Sequence, residues 1–245
     1  MILVAAHRGA SGQAPENTMA AFHAAVDAHA DLIEMDVRFT RDMVPVVIHD
    51  RTLARTAGAR GAVNDHTLAE LRSCDAGRWF HPRFAGEQVP PLSTVLRELP
   101  VSTGINIEVK PDGDRRPLSV LADRLRDELH AHRGRREVLV SSFNHRFLRA
   151  FRRSAPSVPV GVLLHPLRDL VRRPVFIARR LDAAYIFCSS SRLRRSMVDA
   201  AHAEGMSVGV YTVNSAHTLP RLIRYGVDLV FTNHPAAIRN TLERI

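Results

Sequence analysis

The segment Gly104–Lys110 reads GINIEVK and begins the pattern that decides the fold. From this segment to the C-terminus, short runs rich in Val and Ile alternate with amphipathic stretches long enough to form helices. Strands of this composition with helices between them are typical of a parallel sheet. The predicted strands in this half are Gly104–Val109, Val138–Ser141, Val160–Leu164, Ala183–Phe187, Ser207–Val213 and Leu229–Thr232.

Helices are predicted between these strands, and the last one closes the chain. One helical segment contains Pro174, and a proline interrupts a helix because it has no backbone N–H to donate. The predicted helices are Leu118–Ala131, His145–Arg153, Leu167–Arg180 with a break near Pro174, Leu193–Glu204, Leu219–Tyr225 and Pro235–Glu243.

The front of the chain adds two predicted strands, Ile2–Ala6 and Leu32–Val37, with a helix at Thr18–Ala28 between them. Eight strands alternating with helices predict a (β/α)8 TIM barrel, which suits a chain of 245 residues. The stretch Arg51–Pro91 is rich in Gly, Pro and polar residues, and its only predicted helix is Leu68–Cys74. We therefore expect one domain over residues 1–245, with a small insertion over 51–91 between the second and third barrel strands.

The composition limits the classes of protein to consider. No run approaches the ~20 apolar residues of a membrane span, and the first apolar run is too short for a signal peptide. We expect a cytoplasmic protein without stable membrane insertion. The two cysteines, Cys74 and Cys188, lack metal-ligand spacing and are expected to be buried free thiols.

The formal net charge of +9 raises the question of nucleic-acid binding. The basic residues occur as scattered pairs such as Arg152-Arg153, without the interleaved aromatic residues that would stack on bases, so solvated helix faces are favoured. Only one of the 34 basic residues is a lysine, Lys110. Because an ammonium fits where a guanidinium fork is too large, Lys110 is a candidate functional residue.

Carboxylates collect near the predicted mouth of the barrel, where such barrels hold their working residues. Glu34 and Asp36 are two residues apart on one strand and point to the same side, and Glu108 can approach from the neighbouring strand. Buried like charges are unfavourable without a cation between them. Three converging carboxylates predict a site for Mg²⁺ or Ca²⁺, and the alternative is solvated rim carboxylates bonded to arginines.

The apolar run that ends in His49 and Asp50 lies outside the eight-strand count. We predict that it pairs antiparallel with the strand containing Asp36, with Asp42-Met43 at the turn. Residue 41 then pairs with 44 and residue 36 with 49, which puts the His49 side chain beside Asp36. Since Met43 is a poor residue for the positive φ of such a turn, a shift of one residue or a longer loop is the alternative.

A second histidine, His7, ends the first predicted strand together with Arg8. The imidazoles of His7 and His49 can divide acid and base catalysis because their reference pKa lies near neutral pH. A divalent metal with Arg8 and Lys110 suits the charge of a phosphoryl group. The sequence contains neither a nucleophile elbow nor a Gly-rich nucleotide loop, so this set of residues predicts cleavage of a phosphodiester.

Taken together, these residues resemble the glycerophosphodiester phosphodiesterase family over nearly the whole chain. Each motif alone is weak, but so many in one order form a specific pattern. The motifs are His7-Arg8-Gly9, Pro15-Glu16-Asn17-Thr18, Glu34-x-Asp36-Val37, Pro45-Val46-Val47-Ile48-His49-Asp50, Arg51-Thr52-Leu53-x-Arg55-Thr56, Asp75-Ala76-Gly77-x-Trp79-Phe80, Asn106-Ile107-Glu108-Val109-Lys110, Ser141-Ser142-Phe143, Tyr211-Thr212-Val213-Asn214 and Gly226-Val227-Asp228.

The resemblance implies a metal-dependent hydrolase that releases an alcohol and sn-glycerol 3-phosphate from glycerophosphodiesters. One histidine would deprotonate the attacking hydroxyl, from water or the glycerol 2-hydroxyl, and the other would protonate the leaving alkoxide. The insertion would cap the barrel and help shape substrate choice. The implied roles are acid and base for His7 and His49, metal ligands for Glu34, Asp36 and Glu108, and phosphate contacts for Arg8 and Lys110.

Four more residues are candidates for substrate contact: Glu16, Asn17, Phe143 and Tyr211. The family often has a tryptophan where Tyr211 stands, so the wall near the glycerol is expected to differ. Glu16 and Asn17 have an alternative of equal weight, in which they pair with Arg8 and cap the first helix. Outside the candidate set, Asn233-His234 replaces an Asp-Tyr pair common in the family, and Met43 replaces a turn glycine.

Three other functions are alternatives. A lysophospholipase D-like activity would need an apolar channel at the barrel mouth. A phosphate-binding barrel without turnover predicts a missing ligand or histidine, and none is missing. A basic nucleic-acid binder predicts salt-dependent affinity for DNA that survives His7→Ala.

Overall fold

The computed structural model describes residues 2–165 and 174–245. Its strands are β1 (Leu3–Ala6), β2 (Leu32–Phe39), β3 (Pro45–Val47), β4 (Gly104–Val109), β5 (Val138–Ser142), β6 (Val160–Leu163), β7 (Tyr185–Ser189), β8 (Ser207–Tyr211) and β9 (Leu229–Thr232). They form one sheet in the order β1-β9-β8-β7-β6-β5-β4-β2-β3, and the additional pairing of β1 with β2 closes a ring of eight parallel strands. The predicted (β/α)8 barrel is therefore confirmed.

Helices connect the strands and cover the outside of the barrel. They are α1 (Met19–Asp27), α2 (Leu68–Leu71), α3 (Leu92–Glu98), α4 (Leu118–His132), α5 (His145–Ser154), α6 (Pro174–Arg180), α7 (Arg195–Ala203), α8 (Leu219–Tyr225) and α9 (Pro235–Leu242). None of the described helices is long and apolar enough to cross a membrane.

Several predicted boundaries were wrong. The sequence pattern missed α3, and α2 ends three residues before Cys74. Strand β7 begins at Tyr185 rather than Ala183, because the Ala183 N–H still donates to the Ala178 carbonyl at the end of α6. The first part of the predicted Leu167–Arg180 helix, Leu167–Arg173, lies outside the described residues, and the described part of the helix is Pro174–Arg180.

The inside of the barrel is filled at its base by aromatic rings. Phe187 and Phe231 meet edge to face with ring centroids 4.9 Å apart. Gly161 and Gly209 make room for them, since a Cβ at either position would lie 2.5 or 2.6 Å from the Phe187 ring. This apolar plug closes the barrel from below and leaves the C-terminal ends of the strands as the open mouth.

Strand β3 pairs with β2 as a hairpin, but the predicted register was off by one residue. Val37 lies opposite Val47, so Asp36 meets Ile48, whose N–H donates to the Asp36 carbonyl at 2.9 Å. The loop has three residues and ends at Met43, which adopts φ +66°. A three-residue hairpin loop ends in such a left-handed residue, so the one-residue shift is confirmed as the alternative.

The insertion over 51–91 packs against this hairpin. Its own small core joins Leu53, Val63 and Leu71 to Val46 and Ile48 of the hairpin. The insertion is thereby anchored to the β2 edge of the barrel mouth. Both cysteines are free, as expected, but Cys74 is only partly buried, whereas Cys188 is fully buried.

Candidate active site

Three carboxylates converge at the barrel mouth. Glu34 and Asp36 project from β2, and Asp36 lies directly opposite Glu108 of β4 in the parallel register. Their side chains are almost fully buried, and one carboxylate oxygen of each lies within 4.8 Å of the other two. The two-residue period of β2 and the pairing of β2 with β4 produce this cluster.

Burial raises the pKa of Glu34 well above its usual range, and the neighbouring Asp36 and Glu108 carboxylates raise it further. Burial also raises the pKa of Glu108 to about 6, against the opposing attraction of Lys110. For Asp36, burial acts in the same direction, but Lys110 and Arg8 outweigh it and lower the pKa below its usual range. Glu34 and Glu108 therefore take up protons more readily than ordinary carboxylates, and a further cation beside them would favour their ionised forms.

Three buried oxygen atoms around this cluster have no hydrogen-bond partner among the described residues: Glu34 Oε1, Asn106 Oδ1 and Ser141 Oγ. All three residues line one cavity of about 210 Å³. Buried polar atoms are normally paired, so these atoms indicate a bound polar or charged ligand. Oxygens of three carboxylates at this separation fit a hard divalent cation, for which carboxylates are the usual protein ligands.

Two cations flank the carboxylates. The Lys110 ammonium lies 3.2 Å from Asp36 Oδ1 and also pairs with Glu108 Oε1. Arg8 Nε lies 3.3 Å from Asp36 Oδ2, and the Arg8 backbone N–H donates to Glu34 Oε2 at 2.8 Å. Arg8 adopts φ +59°, which turns its N–H and its side chain toward β2. Although burial opposes it, the facing carboxylates raise the pKa of both Lys110 and Arg8.

Both histidines line the same cavity, and each is held through Nδ1. His7 Nδ1 lies 2.8 Å from Asn233 Oδ1, and His49 Nδ1 lies 2.7 Å from Asp50 Oδ1. Because each oxygen accepts from an Nδ1–H, Nε2 of each neutral ring is the nitrogen available for proton transfer. Burial lowers the pKa of His7 to about 4, with Arg8 adding to the effect, and burial also lowers the pKa of His49.

The mouth has two unlike sides. We call His7, Arg8, Glu34, Asp36, His49, Glu108 and Lys110, on or next to β1, β2, β3 and β4, the charged wall. We call Phe143, Leu163, Tyr211 and Phe231, on or next to β5, β6, β8 and β9, the aromatic wall. Phe143 connects the two walls, since its ring packs against Tyr211 at 6.2 Å and lies 5.9 Å from the Lys110 ammonium.

Glu16 and Asn17 lie behind the charged wall. Glu16 Oε1 accepts from Arg8 Nη1 at 2.9 Å, which is the predicted pairing. Asn17 does not cap the first helix, since Thr18 is the N-cap of α1 and accepts from the Ala21 N–H. Asn17 instead donates to Asp36 Oδ2 at 2.8 Å and accepts from the Asp36 N–H at 3.1 Å.

Sequence reasoning missed several supporting residues. Arg38 is buried and donates to the backbone carbonyls of His49 and Lys110, which holds both loop segments at the mouth. Asp50 and Asn233 orient the histidines, and Arg55 binds Asp50. The His49-Asp50 dipeptide was the one sequence signal for such a partner, because a neighbouring carboxylate commonly fixes the tautomer of a histidine.

A closed barrel with buried carboxylates, fixed cations and two imidazoles at one mouth has the features of a phosphodiester-cleaving barrel enzyme. Comparison with known proteins identifies the family. The model of the glycerophosphoryl diester phosphodiesterase family matches residues 7–237. The chain belongs to this family, which confirms the resemblance and the enzyme class, a phosphoric diester hydrolase.

Individual relatives agree over almost the whole chain. YhdW of Bacillus subtilis is 38% identical over 232 residues, covering 95% of this chain and 94% of the relative. The glycerophosphodiester phosphodiesterase of Caldanaerobacter subterraneus subsp. tengcongensis is 35% identical over 243 residues, covering 99% of this chain and 98% of the relative. The structure of an Oleispira antarctica phosphodiesterase was solved with the product sn-glycerol-3-phosphate. It superposes with a TM-score of 0.89 at 29% sequence identity, covering 98% of this chain and 96% of that chain.

Proposed function

We propose that this protein hydrolyses glycerophosphodiesters to an alcohol and sn-glycerol 3-phosphate, with a divalent metal ion as cofactor and His7 and His49 as base and acid. The observation that carries the proposal is a cavity of about 210 Å³ lined by two cations, two imidazoles and the Glu34 and Glu108 carboxylates, with Asp36 completing the carboxylate cluster beside it. The product held by the Oleispira antarctica relative supports the substrate class.

Glu34, Asp36 and Glu108 would hold the metal, either Mg²⁺ or Ca²⁺. The unpartnered Glu34 Oε1 and the raised pKa values of Glu34 and Glu108, caused by burial, support this assignment. When bound, a divalent cation neutralises the carboxylates and withdraws charge from the phosphoryl group. Asn17 fixes the Asp36 carboxylate through its amide nitrogen.

Arg8 and Lys110 bind the phosphate. Both remain protonated at neutral pH, since the neighbouring carboxylates raise their pKa values despite burial. A guanidinium can bind two non-bridging oxygens at once, and an ammonium adds a compact point charge beside them. As negative charge grows on these oxygens in the transition state, prepositioned cations lower the barrier.

The two histidines divide the proton transfers. His7, whose pKa burial lowers to about 4 and whose partner is a neutral amide, stays unprotonated and is suited to accept the proton of the attacking hydroxyl. Burial lowers the pKa of His49, but the Asp36 and Asp50 carboxylates oppose this decrease and favour the protonated ring, so His49 is suited to donate a proton to the leaving alkoxide. The phosphorus–oxygen bond to the alcohol breaks as the bond to the attacking oxygen forms.

The substrate would lie between the two walls. Phe143 and Tyr211 would contact the glycerol carbons, and a wider cavity of about 610 Å³ on the other side of Phe143 would receive the alcohol. Asp112, His145 and Arg146 line that cavity, and these charged and polar side chains favour a polar headgroup over the acyl chain of a lysolipid. The insertion over 51–91 would cap the β2 edge of the mouth, where its core packs against the hairpin.

A turnover panel tests the proposal. Glycerophosphocholine, glycerophosphoethanolamine, glycerophosphoglycerol and a lysolipid would be offered with and without a chelator, and released sn-glycerol 3-phosphate measured enzymatically. We expect chelator-sensitive release from at least one water-soluble glycerophosphodiester. Release from the lysolipid alone, or no release from any of them, would overturn the proposal.

A further inference from the structure

Arg55 lies in the insertion, outside both walls, and makes four hydrogen bonds to two carboxylates. Its Nε donates to Asp50 Oδ2 at 2.7 Å and its Nη2 to Asp50 Oδ1 at 3.0 Å. Its Nη1 donates to Glu16 Oε2 at 2.8 Å and its Nη2 to Glu16 Oε1 at 2.8 Å. Two edges of one planar guanidinium are therefore used, each in a bidentate pair.

Each carboxylate that Arg55 binds holds a residue of the charged wall. Asp50 Oδ1 accepts from His49 Nδ1 at 2.7 Å, and Glu16 Oε1 accepts from Arg8 Nη1 at 2.9 Å. The contacts form one chain from an imidazole to a phosphate-binding guanidinium, with Arg55 at its centre. Arg8 follows the barrel strand β1 and His49 follows the hairpin strand β3, so these side-chain contacts join two separate segments of the chain.

We infer that Arg55 is a positioning residue, which orients His49 through Asp50 and Arg8 through Glu16, so that the insertion sets the distance between the proton donor and the phosphate contact. This inference rests on the proposed function of His49 and Arg8. Removing the guanidinium would leave two carboxylates without their shared cation, and each could then turn away from the side chain it holds. The Asp50 contact sets the ring orientation of His49, and the Glu16 contact sets the direction of Arg8.

A lysine cannot substitute for Arg55 in this role. An ammonium has one nitrogen and cannot form two bidentate pairs in one plane. Trp79, also in the insertion, lies over the guanidinium at 5.9 Å and further limits its orientation. Arg55→Lys would therefore keep the charge and lose the geometry.

Arg41 offers a matched control. It is an arginine of similar exposure that also binds a carboxylate of the insertion, since its Nη2 donates to both oxygens of Glu70 at 3.1 Å. Neither Arg41 nor Glu70 contacts a residue of the charged wall. Arg41→Gln therefore removes an ion pair to the insertion while leaving the contacts that orient His49 and Arg8 in place.

The test combines kinetics with ¹⁵N-histidine NMR on the full chain. We expect Arg55→Gln to lower kcat about 10- to 100-fold with only a few-fold change in KM, and Arg55→Lys to remain about 5-fold or more below the unsubstituted protein. Arg41→Gln is expected to stay within about 2-fold. In an Asp50→Asn background, Arg55→Gln should lower kcat by much less than it does alone, because the two residues act on one ring.

The spectrum reports positioning independently of activity. His49, identified by the signal that disappears in His49→Ala, is expected to show the Nδ1–H tautomer in the unsubstituted protein and in Arg41→Gln, and a tautomer mixture in Arg55→Gln. An unchanged His49 signal together with a kcat equal to that of Arg41→Gln would overturn the inference. If His49→Ala kept full activity, the proposed function of His49 would fail instead, while the spectrum would still decide whether Arg55 orients the ring.

Discussion

The charged wall and the aromatic wall face each other across one cavity, yet they are built on opposite physical principles. The charged wall buries three carboxylates near one another, and burial raises the pKa values of Glu34 and Glu108. The aromatic wall buries apolar rings, and its Phe231 packs edge to face against Phe187 in the barrel interior. Burying ionised groups opposes folding, whereas burying rings favours it.

This difference separates stability from function. A wall that opposes folding is retained for what it binds, so substitutions there should reduce the rate with little loss of stability. A wall that favours folding also shapes the cavity, so substitutions there should act mainly on substrate affinity and on stability. Each kinetic experiment compares a wall residue with a chemically matched residue elsewhere in the fold.

The largest effect is expected from Glu108→Gln. Loss of one carboxylate from the buried cluster should lower kcat/KM about 1,000-fold or more, since the cation and the phosphoryl charge both depend on it. Its control is Glu128→Gln, because Glu128 is also buried and pairs with an arginine, Arg124, at 2.7 Å, but lies on α4. Activities of the two variants within about 3-fold of each other would show that the cluster has no special role.

A somewhat smaller loss is expected for His49→Ala. Removal of a proton-transferring group typically lowers kcat about 100- to 10,000-fold. His202 is the matched residue, since its Nε2 pairs with Asp228 at 2.8 Å at the opposite end of the barrel. In steady-state kinetics, kcat should fall for His49→Ala and stay nearly unchanged for His202→Ala. Equal decreases in kcat for the two variants would contradict the acid–base assignment of His49.

The pH dependence of stability tests the environment of His7. Burial, with a further contribution from Arg8, lowers the pKa of His7 to about 4 in the folded protein, against about 6.5 in an unfolded chain. Between these values the unfolded chain binds a proton that the folded protein does not, so stability falls as the pH falls. From about pH 7.5 to about pH 5 we expect His7 to remove about 2 kcal/mol from the free energy of unfolding.

Urea unfolding at the two pH values provides the measurement. His7→Gln cannot take up a proton, so its free energy of unfolding should fall less over this interval than that of the unsubstituted protein. Parallel decreases in the two proteins would mean that His7 titrates as an exposed histidine does.

The smallest effect is expected on the aromatic wall. Phe143→Ala should raise KM about 5- to 10-fold and change kcat little, because it removes a contact surface and the ring beside Lys110. Phe176→Ala is the control, since that exposed ring lies at a comparable 5.7 Å from Arg180 on the outside of the barrel. A loss in kcat with unchanged KM for Phe143→Ala would contradict the division between the walls.

Much of the charged wall could be predicted because it follows strand geometry. The two-residue period aligns Glu34 with Asp36, and the neighbouring parallel strand brings Glu108 opposite Asp36. Counting strands identified the barrel for the same reason, since eight apolar runs alternating with helices have few other ways to pack.

The rest depended on local choices that the sequence leaves open. The sequence around Asp42-Met43 is compatible with a two-residue turn and with a three-residue turn. The left-handed conformation of Met43 in the structure identifies the three-residue turn. Asn17 and Thr18 are both good N-caps, so their order could not show that Thr18 caps α1 while Asn17 binds Asp36. The contact of Arg55 with Glu16 joins segments 39 residues apart and follows from where the insertion packs.

The most direct test of the charged wall is titration calorimetry of Mg²⁺ and of Ca²⁺ into chelator-treated protein, with and without Glu34→Gln. We expect one ion to bind per chain of the unsubstituted protein, and its binding to be weakened at least about 100-fold by Glu34→Gln, the substitution that removes the unpartnered carboxylate oxygen. Two results would contradict a cation site formed by Glu34, Asp36 and Glu108. One is that each ion binds the Glu34→Gln variant as tightly as the unsubstituted protein, and the other is that neither ion binds the unsubstituted protein.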